Sequence, residues 1–282
     1  MNLLNFVEQY PDEASCKSKW KEFLDKQGVE CPKCGGKEHY WKQDKEQYEC
    51  KNCKYRQSLR SNTVMHGSQL PFRYWFIAMH LLTSTKKSFS ALELQRQLGH
   101  KYYNPIWELL HKLRAAMGNR DANYTLSDVI ELDEGFFSTE IPDEEKEKPL
   151  KRGRGSQKKS KVLVMVESRP VEEKTRKKGK SRQVGYLKMI NDLKSETITP
   201  LVKENVEETA TIDSDDSTSY TRLGEVVKEH RPKVIPKKEI GKMLPWVHIA
   251  ISNAKRMLLD VFHDIKPEYL QSYLNEYCYK FN

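Results

Sequence analysis

No apolar run in these 282 residues approaches the roughly 20 that a membrane-spanning helix needs, which excludes an integral helical membrane protein. Met1 to Tyr10 lacks the basic start and apolar core of a secretory signal, which points to an intracellular, reducing location. No internal repeat is present, which excludes a solenoid or a repeat array. Cysteine is scarce, with 6 in the chain. Cys16 and Cys278 have no partner at metal-ligand spacing and read as ordinary thiols.

The other four stand in two tight pairs, Cys31-Pro32-Lys33-Cys34 and Cys50-Lys51-Asn52-Cys53, with fifteen residues between them. That spacing suits two knuckles closing on one tetrahedral zinc. In a reducing compartment such pairs read as metal ligands rather than disulfides. Four thiolates leave no open coordination position, so the zinc reads as structural. His39, Tyr40, Trp41 and Tyr48 read as short strands between the knuckles, and His39 has no metal role because the site is already saturated.

The formal net charge is +9, from 49 basic and 40 acidic residues. Lys146 to Lys161 holds eight Lys or Arg, and Lys174 to Arg182 holds six. Either cluster suits a solvated loop or a polyanion, and a ribbon in the same chain favours nucleic acid.

Four segments are expected. Residues 1–27 read as an amphipathic helical segment with Phe6, Trp20, Phe23 and Leu24 as its apolar points, and 28–62 as the zinc ribbon. Residues 68–120 read as a helix-turn-helix-like DNA-binding region, or else a plain three-helix bundle. Arg73 to Leu82 comes first. Ser90 then caps Ala91 to Leu98, and Gly99 stops it. In Ile106 to Met117, Ile106, Leu109, Leu110 and Leu113 form one face, with His111, Lys112 and Arg114 on the polar side.

From 125 to 282 a mixed α/β domain is expected. Val129 to Asp133 reads as a strand that continues through Gly135-Phe136-Phe137. Val162 to Val166 and Gly185 to Ile190 form a hairpin across the basic loop 170–183. Ser195 to Val206 reads as a helix with a Ser cap, Ala210 to Ile212 as a strand, Tyr220 to Lys228 as a helix and Val234-Ile235 as a brief strand. Trp246 to Ile265 and Tyr269 to Phe281 read as the closing helices.

Two aspartates at strand ends carry the candidate chemistry. Asp133 lies in the domain's first strand and Asp215 just past its fourth. If those strands are neighbours, the carboxylates repel unless a cation lies between them, and magnesium or manganese fits oxygen ligands. Such a site suits in-line phosphoryl displacement on DNA, although aspartates are also abundant at strand ends. Asp213 and Asp216 are close enough to stand in for Asp215. Glu134 is expected on the opposite strand face from Asp133. Asp260 is a weaker alternative third carboxylate, with Asp264 farther along the same helical face.

The block Ile130-Glu131-Leu132-Asp133-Glu134-Gly135-Phe136-Phe137 resembles the first catalytic segment of DDE insertion-sequence transposases of the zinc-ribbon, ISXO-like branch. Asp215 to Tyr220, an Asp followed five residues later by Tyr, resembles the second segment, and His248 to Arg256 the third. Tyr269 to Tyr277 with Lys280-Phe281-Asn282 resembles the closing helix. The resemblance implies a ribonuclease-H-like catalytic domain that binds two magnesium ions, or manganese, and cuts and joins DNA. It implies metal-ligand roles for Asp133 and Asp215. The third position falls on Asn253, where most such enzymes have Glu; some members of this branch carry Asn there with a lysine close by, here Lys255. Asn offers a carbonyl oxygen but no charge, so weaker metal binding is expected. Lys255 or Arg256 is expected to contact a DNA phosphate.

The expected partners are double-stranded DNA, at terminal inverted repeats and target, and further copies of the chain on paired ends. The expected location is the bacterial cytoplasm, at the nucleoid when DNA is bound. The family usually runs on past this last motif, so a truncated copy is expected. Two other readings stay open at this point: a zinc-ribbon DNA-binding regulator with an inactive body, and a structure-selective nuclease of the same fold.

Overall fold

The computed structural model describes residues 1–170, 180–234 and 243–282. The chain divides into two units, Met1–Ala116 and Met117–Asn282.

The first unit begins with two helices where one was expected. Helix α1 (Leu3–Gln9) ends before Pro11, because a proline disfavours helical geometry in the residue before it. Asp12 then opens α2 (Glu13–Gln27) with a reciprocal capping box to Ser15. Phe6 is buried as expected, whereas Phe23 is 46% exposed. The indole of Trp20 donates to the Leu59 carbonyl at 2.8 Å. Strands β1 (His39–Lys42), β2 (Gln47–Cys50) and β3 (Arg56–Ser58) form the antiparallel ribbon sheet. Its inner face rests on α2, where the Tyr48 hydroxyl donates to Asp25 at 2.6 Å.

Three helices follow: α3 (Phe72–Ser84), α4 (Ala91–Leu98) and α5 (Tyr103–Asp121), the last running across the boundary between the units. Glu13 of α2 caps α3 from a distance, accepting from the Phe72 and Arg73 amides at 2.9 Å each. Ser90 caps α4 by accepting from the Glu93 amide at 3.0 Å. Gly99 ends α4 at φ 63°, a left-handed position that glycine adopts without strain. Ile106, Leu109, Leu110 and Leu113 are all buried.

The expected polar side of α5 requires correction. Arg114 lies four residues after Leu110 and therefore on the buried stripe; it is 1% exposed and donates to the Phe89 carbonyl at 3.2 Å. Lys112 donates to the His66 carbonyl at 2.7 Å, and the His111 ring lies tilted against Trp107 with centroids 3.9 Å apart. Arg114 thus serves packing, whereas His111 and Lys112 remain half-exposed.

The second unit is built on a five-stranded sheet. Strands β4 (Val129–Ser138), β5 (Lys159–Pro170) and β6 (Lys180–Ile190) form an antiparallel meander. Helix α6 (Ser195–Asn205) leads to β7 (Thr211–Asp215), which pairs parallel to β4; β8 (Glu229–Lys233) pairs parallel to β7. The order β6-β5-β4-β7-β8, with helices on both faces, is a ribonuclease-H-like arrangement. One face packs Val162, Val164, Val166 and Leu187 against α7 (Pro245–Val261) and α8 (Pro267–Phe281). The other packs Ile130, Leu132, Leu163 and Met165 against α6.

Several local expectations change. Tyr220 to Lys228 is not a helix but contains two 3-10 turns, Thr218–Tyr220 and Leu223–Glu225. Tyr220, Leu223 and Val227 are buried at a helix-like spacing, which explains the misreading. The N-cap of α6 is Lys194, and the Ser195 hydroxyl instead meets that of Thr199 at 3.2 Å. The last strand ends at Lys233, before Val234, and Ile235 lies outside the described residues. Helix α7 stops at Val261 rather than Ile265. Most of the basic cluster Lys174 to Arg182 also lies outside the described residues.

An edge strand leaves unpaired backbone groups that invite association. Side chains of α8 cover the free edge of β6. The Gly185 amide donates to the Asn282 side chain at 2.7 Å, and the Met189 amide to Gln271 at 2.8 Å. Gln271 in turn donates to the Leu187 carbonyl at 3.1 Å. Among the described residues, no helix is long and apolar enough to cross a membrane.

Candidate metal centres

Parallel pairing of β4 and β7 runs from Val129↔Thr211 to Leu132↔Ser214. The next residues along, Asp133 and Asp215, therefore emerge side by side where the ladder stops. Asp133, Glu134 and Asp215 each offer a carboxylate oxygen, and these lie within 4.8 Å of one another. Alternation does send Glu134 to the other face, where it accepts a short hydrogen bond from the buried Tyr220 hydroxyl. Its carboxylate still reaches the cluster, and its amide donates to Asp133 Oδ1 at 2.7 Å.

Burial, followed by the neighbouring charges of Glu134 and Asp215, pushes the Asp133 carboxyl up to about 7. Burial and the adjacent Glu134 also raise the Tyr220 hydroxyl well above its ordinary range. Of the other acids beside Asp215, Asp213 pairs with Lys233 at 2.9 Å, and Asp216 is exposed outside the cluster. The structure thus brings Asp215, rather than either neighbour, to Asp133.

Helix α7 is fastened to the same strand. Glu131, 7% exposed, accepts from the Trp246 amide at 2.7 Å and the Val247 amide at 3.0 Å. A carboxylate at a helix N-terminus satisfies orphan amides and complements the helix dipole. The next residue along, His248, places Nδ1 3.7 Å from Asp133 Oδ2. Its Nε2 is buried with no hydrogen-bond partner among the described residues. Lys255 lies seven residues later, two turns along the same face, with Nζ 5.6 Å from the Phe137 ring. Burial and then Lys159 hold its ammonium below the usual lysine range, with Asp133 pulling the other way.

Asn253 is placed elsewhere. It lies five residues past His248, about 140° around the helix, and it is exposed. The core stripe of α7 is Val247, Ala250, Ile251, Ala254 and Leu258; His248 and Lys255 flank it on one side, and Asn253 lies on the other. Asn253 thus stands on the solvent side of α7, and a role for it beside the aspartates is left to experiment. Asp260 and Arg256 are exposed, and Asp260 is outside the acidic cluster. One signal in the sequence pointed to His248: a His and a Lys seven apart, just inside a helix opened by Pro245.

In the ribbon, Cys31 Sγ lies 3.5 Å from Cys53 Sγ, and Cys34 Sγ lies 3.6 Å from Cys50 Sγ. Zinc–sulfur bonds of about 2.3 Å in a tetrahedron put sulfurs about 3.8 Å apart, so the four fit one zinc. Gly36 keeps that space open, because a Cβ there lies 3.2 Å from Cys50 Sγ and 2.9 Å from the Asn52 side chain.

A family model described as the transposase zinc-ribbon domain matches residues 11–56, and one described as the ISXO2-like transposase domain matches residues 125–282. The chain belongs to the ISXO2-like transposase family. No curated protein matches it. The ribbon match spans all four knuckle cysteines of this transposase, and the second match spans β4, β7 and α7, hence the whole acidic cluster.

Proposed function

We propose that this transposase binds the DNA ends of its insertion sequence and cleaves and joins DNA at a divalent-metal site formed by Asp133, Asp215 and His248. The observation that carries the proposal is the convergence of the Asp133, Glu134 and Asp215 carboxylates within 4.8 Å of one another, and His248 is added because its Nδ1 lies 3.7 Å from Asp133 Oδ2 and its Nε2 is buried without a hydrogen-bond partner among the described residues. The proposal gives His248 the third place for which Asn253 is the alternative, since Asn253 is exposed on the other side of α7.

The donor set fits a divalent cation. Carboxylates suit magnesium and manganese, and an imidazole moves the preference toward manganese. A cation bound there supplies Lewis-acid activation of an oxygen nucleophile and stabilises the leaving oxygen. Glu131 sets the position of α7, so that His248 meets Asp133. Glu134, held by Tyr220, adds negative charge beside the aspartates. Lys255, with Lys159 close by, is suited to hold a DNA phosphate against the site. Zinc in the four-cysteine site is structural, and the enzyme works as an oligomer on paired ends.

The test is to incubate the zinc-loaded protein with labelled end DNA of its own element and magnesium or manganese. Nicked and joined products are expected with the wild type and are expected to vanish with Asp133→Ala, while end binding persists. End binding without cleavage in either metal defeats the proposal and favours a DNA-binding regulator. Cleavage without joining favours a nuclease.

A further inference from the structure

Strand alternation gives the ribbon two unlike faces. His39, Trp41 and Tyr48 turn inward and pack edge to face, with ring centroids 6.2 Å (His39–Tyr48) and 5.0 Å (Trp41–Tyr48) apart. Tyr40 turns outward and is 49% exposed. Three ammonium groups converge on its ring, Lys51 at 5.3 Å, Lys54 at 5.7 Å and Lys42 at 5.9 Å from the centroid.

We propose that this outer face, centred on Tyr40 with Lys42, Lys51 and Lys54, is a contact surface for the sugar–phosphate backbone of duplex DNA. The inference rests on the transposase reading above and names a surface that the reading leaves open.

Like charges gathered around one exposed ring repel one another, and an anion relieves that repulsion. The acids nearby do not neutralise the face. Glu38 pairs with Lys51 at 3.2 Å, and Glu49 is shared between Arg56 at 2.7 Å and Lys42 at 3.5 Å. Lys54 has no carboxylate partner among the described residues. Four cations against two carboxylates leave a positive surface. Exposed Tyr and Lys are also a chemically sound set for phosphate and sugar contacts, which position a protein on DNA without reading its sequence.

The lysines are tied to the metal. Lys51 follows Cys50, and Lys54 follows Cys53 at a left-handed φ of 60°. The second knuckle therefore sets where both ammonium groups stand. The surface exists in this form only when the four cysteines are held together, which gives a structural zinc a role in DNA contact without any chemistry at the metal.

The experiment measures anisotropy of a labelled element-end duplex with the full-length, zinc-loaded protein across a NaCl series. Lys51→Gln/Lys54→Gln and Tyr40→Ala are compared with the wild type, with zinc content and melting temperature checked for each. Each phosphate contact contributes a slope of about −0.9 in log affinity against log salt. The double variant is expected to flatten the slope by about 1.8, so that the loss of affinity between about 50 and about 200 mM NaCl shrinks by roughly tenfold. Tyr40→Ala is expected to weaken binding to end and unrelated duplexes alike. Wild-type affinity and slope in both variants, with zinc retained, overturn this surface alone. If the double variant loses zinc, Lys54→Gln decides: a slope flatter by about 0.9 supports the surface, and an unchanged slope overturns it. No duplex binding by the wild type overturns both this surface and the transposase reading.

Discussion

Glu131 offers the sharpest perturbation of the proposed catalytic site, because it touches neither metal nor DNA in this account. Its buried carboxylate accepts two amides in the first turn of α7, at 2.7 and 3.0 Å. Glu131→Ala removes both bonds and the charge that complements the helix N-terminus. Loss of a capping acceptor costs about 0.5–2 kcal/mol, and hydrogen bonds to charged groups are worth about 1.5–3 kcal/mol. The wild type also bears the cost of burying a charge, which offsets part of this. The net expected loss is about 2–3 kcal/mol, which in a domain of this size lowers the melting temperature by about 4–12 °C. Glu131→Gln keeps an acceptor oxygen and loses only the charge, about 1 kcal/mol. Calorimetry of the C-terminal transition reads the stability, and hydrogen exchange of the Trp246 and Val247 amides reports the cap itself. His248 is the next residue, so Mn2+ is expected to stabilise the Ala variant less than the wild type. A melting point within about 1 °C of wild type, with the two amides as protected as before, refutes the reasoning.

Other outcomes follow from named contacts. A Cβ on Gly185 lies 2.7 Å from the Phe281 ring, so Gly185→Ala is expected to cost about 1–3 kcal/mol in urea unfolding of the C-terminal unit. Removing zinc with a strong chelator, or Cys50→Ser, is expected to unfold the ribbon while far-UV signals of the C-terminal unit persist; an intact ribbon without metal contradicts the four-sulfur assignment. His248→Glu replaces an imidazole with a charged oxygen ligand and is expected to shift cleavage from a preference for manganese toward magnesium. An unchanged metal preference counts against His248 as a ligand.

Much of the fold was legible where one local signal sufficed. The cysteine pairs announced the ribbon by spacing alone. Ser90 and Gly99 bounded α4 because capping and left-handed geometry are local properties. The carboxylate meeting required more, since Asp133 and Asp215 are brought together by the register of β4 on β7, which no short stretch of sequence encodes. That register also separated Asp215 from Asp213, which Lys233 engages from β8.

The third site position was less legible for a related reason. The resemblance fixed a block of nine residues, His248 to Arg256, but not which face of the helix turns toward the strand. Glu131 sets that face, 115 residues earlier in the chain than Trp246, through contacts invisible to periodicity. Arg114 shows the same lesson in the first unit. A charged residue on a buried stripe looks like a polar-face residue until the carbonyl that receives it is seen.

The most direct measurement is cleavage of labelled end DNA in Mn2+ by the wild type, Asp133→Ala, Asp215→Ala, His248→Ala and Asn253→Ala, each confirmed to bind the duplex. The account predicts product from the wild type and Asn253→Ala, and none from the other three. Product from His248→Ala, with none from Asn253→Ala, contradicts it.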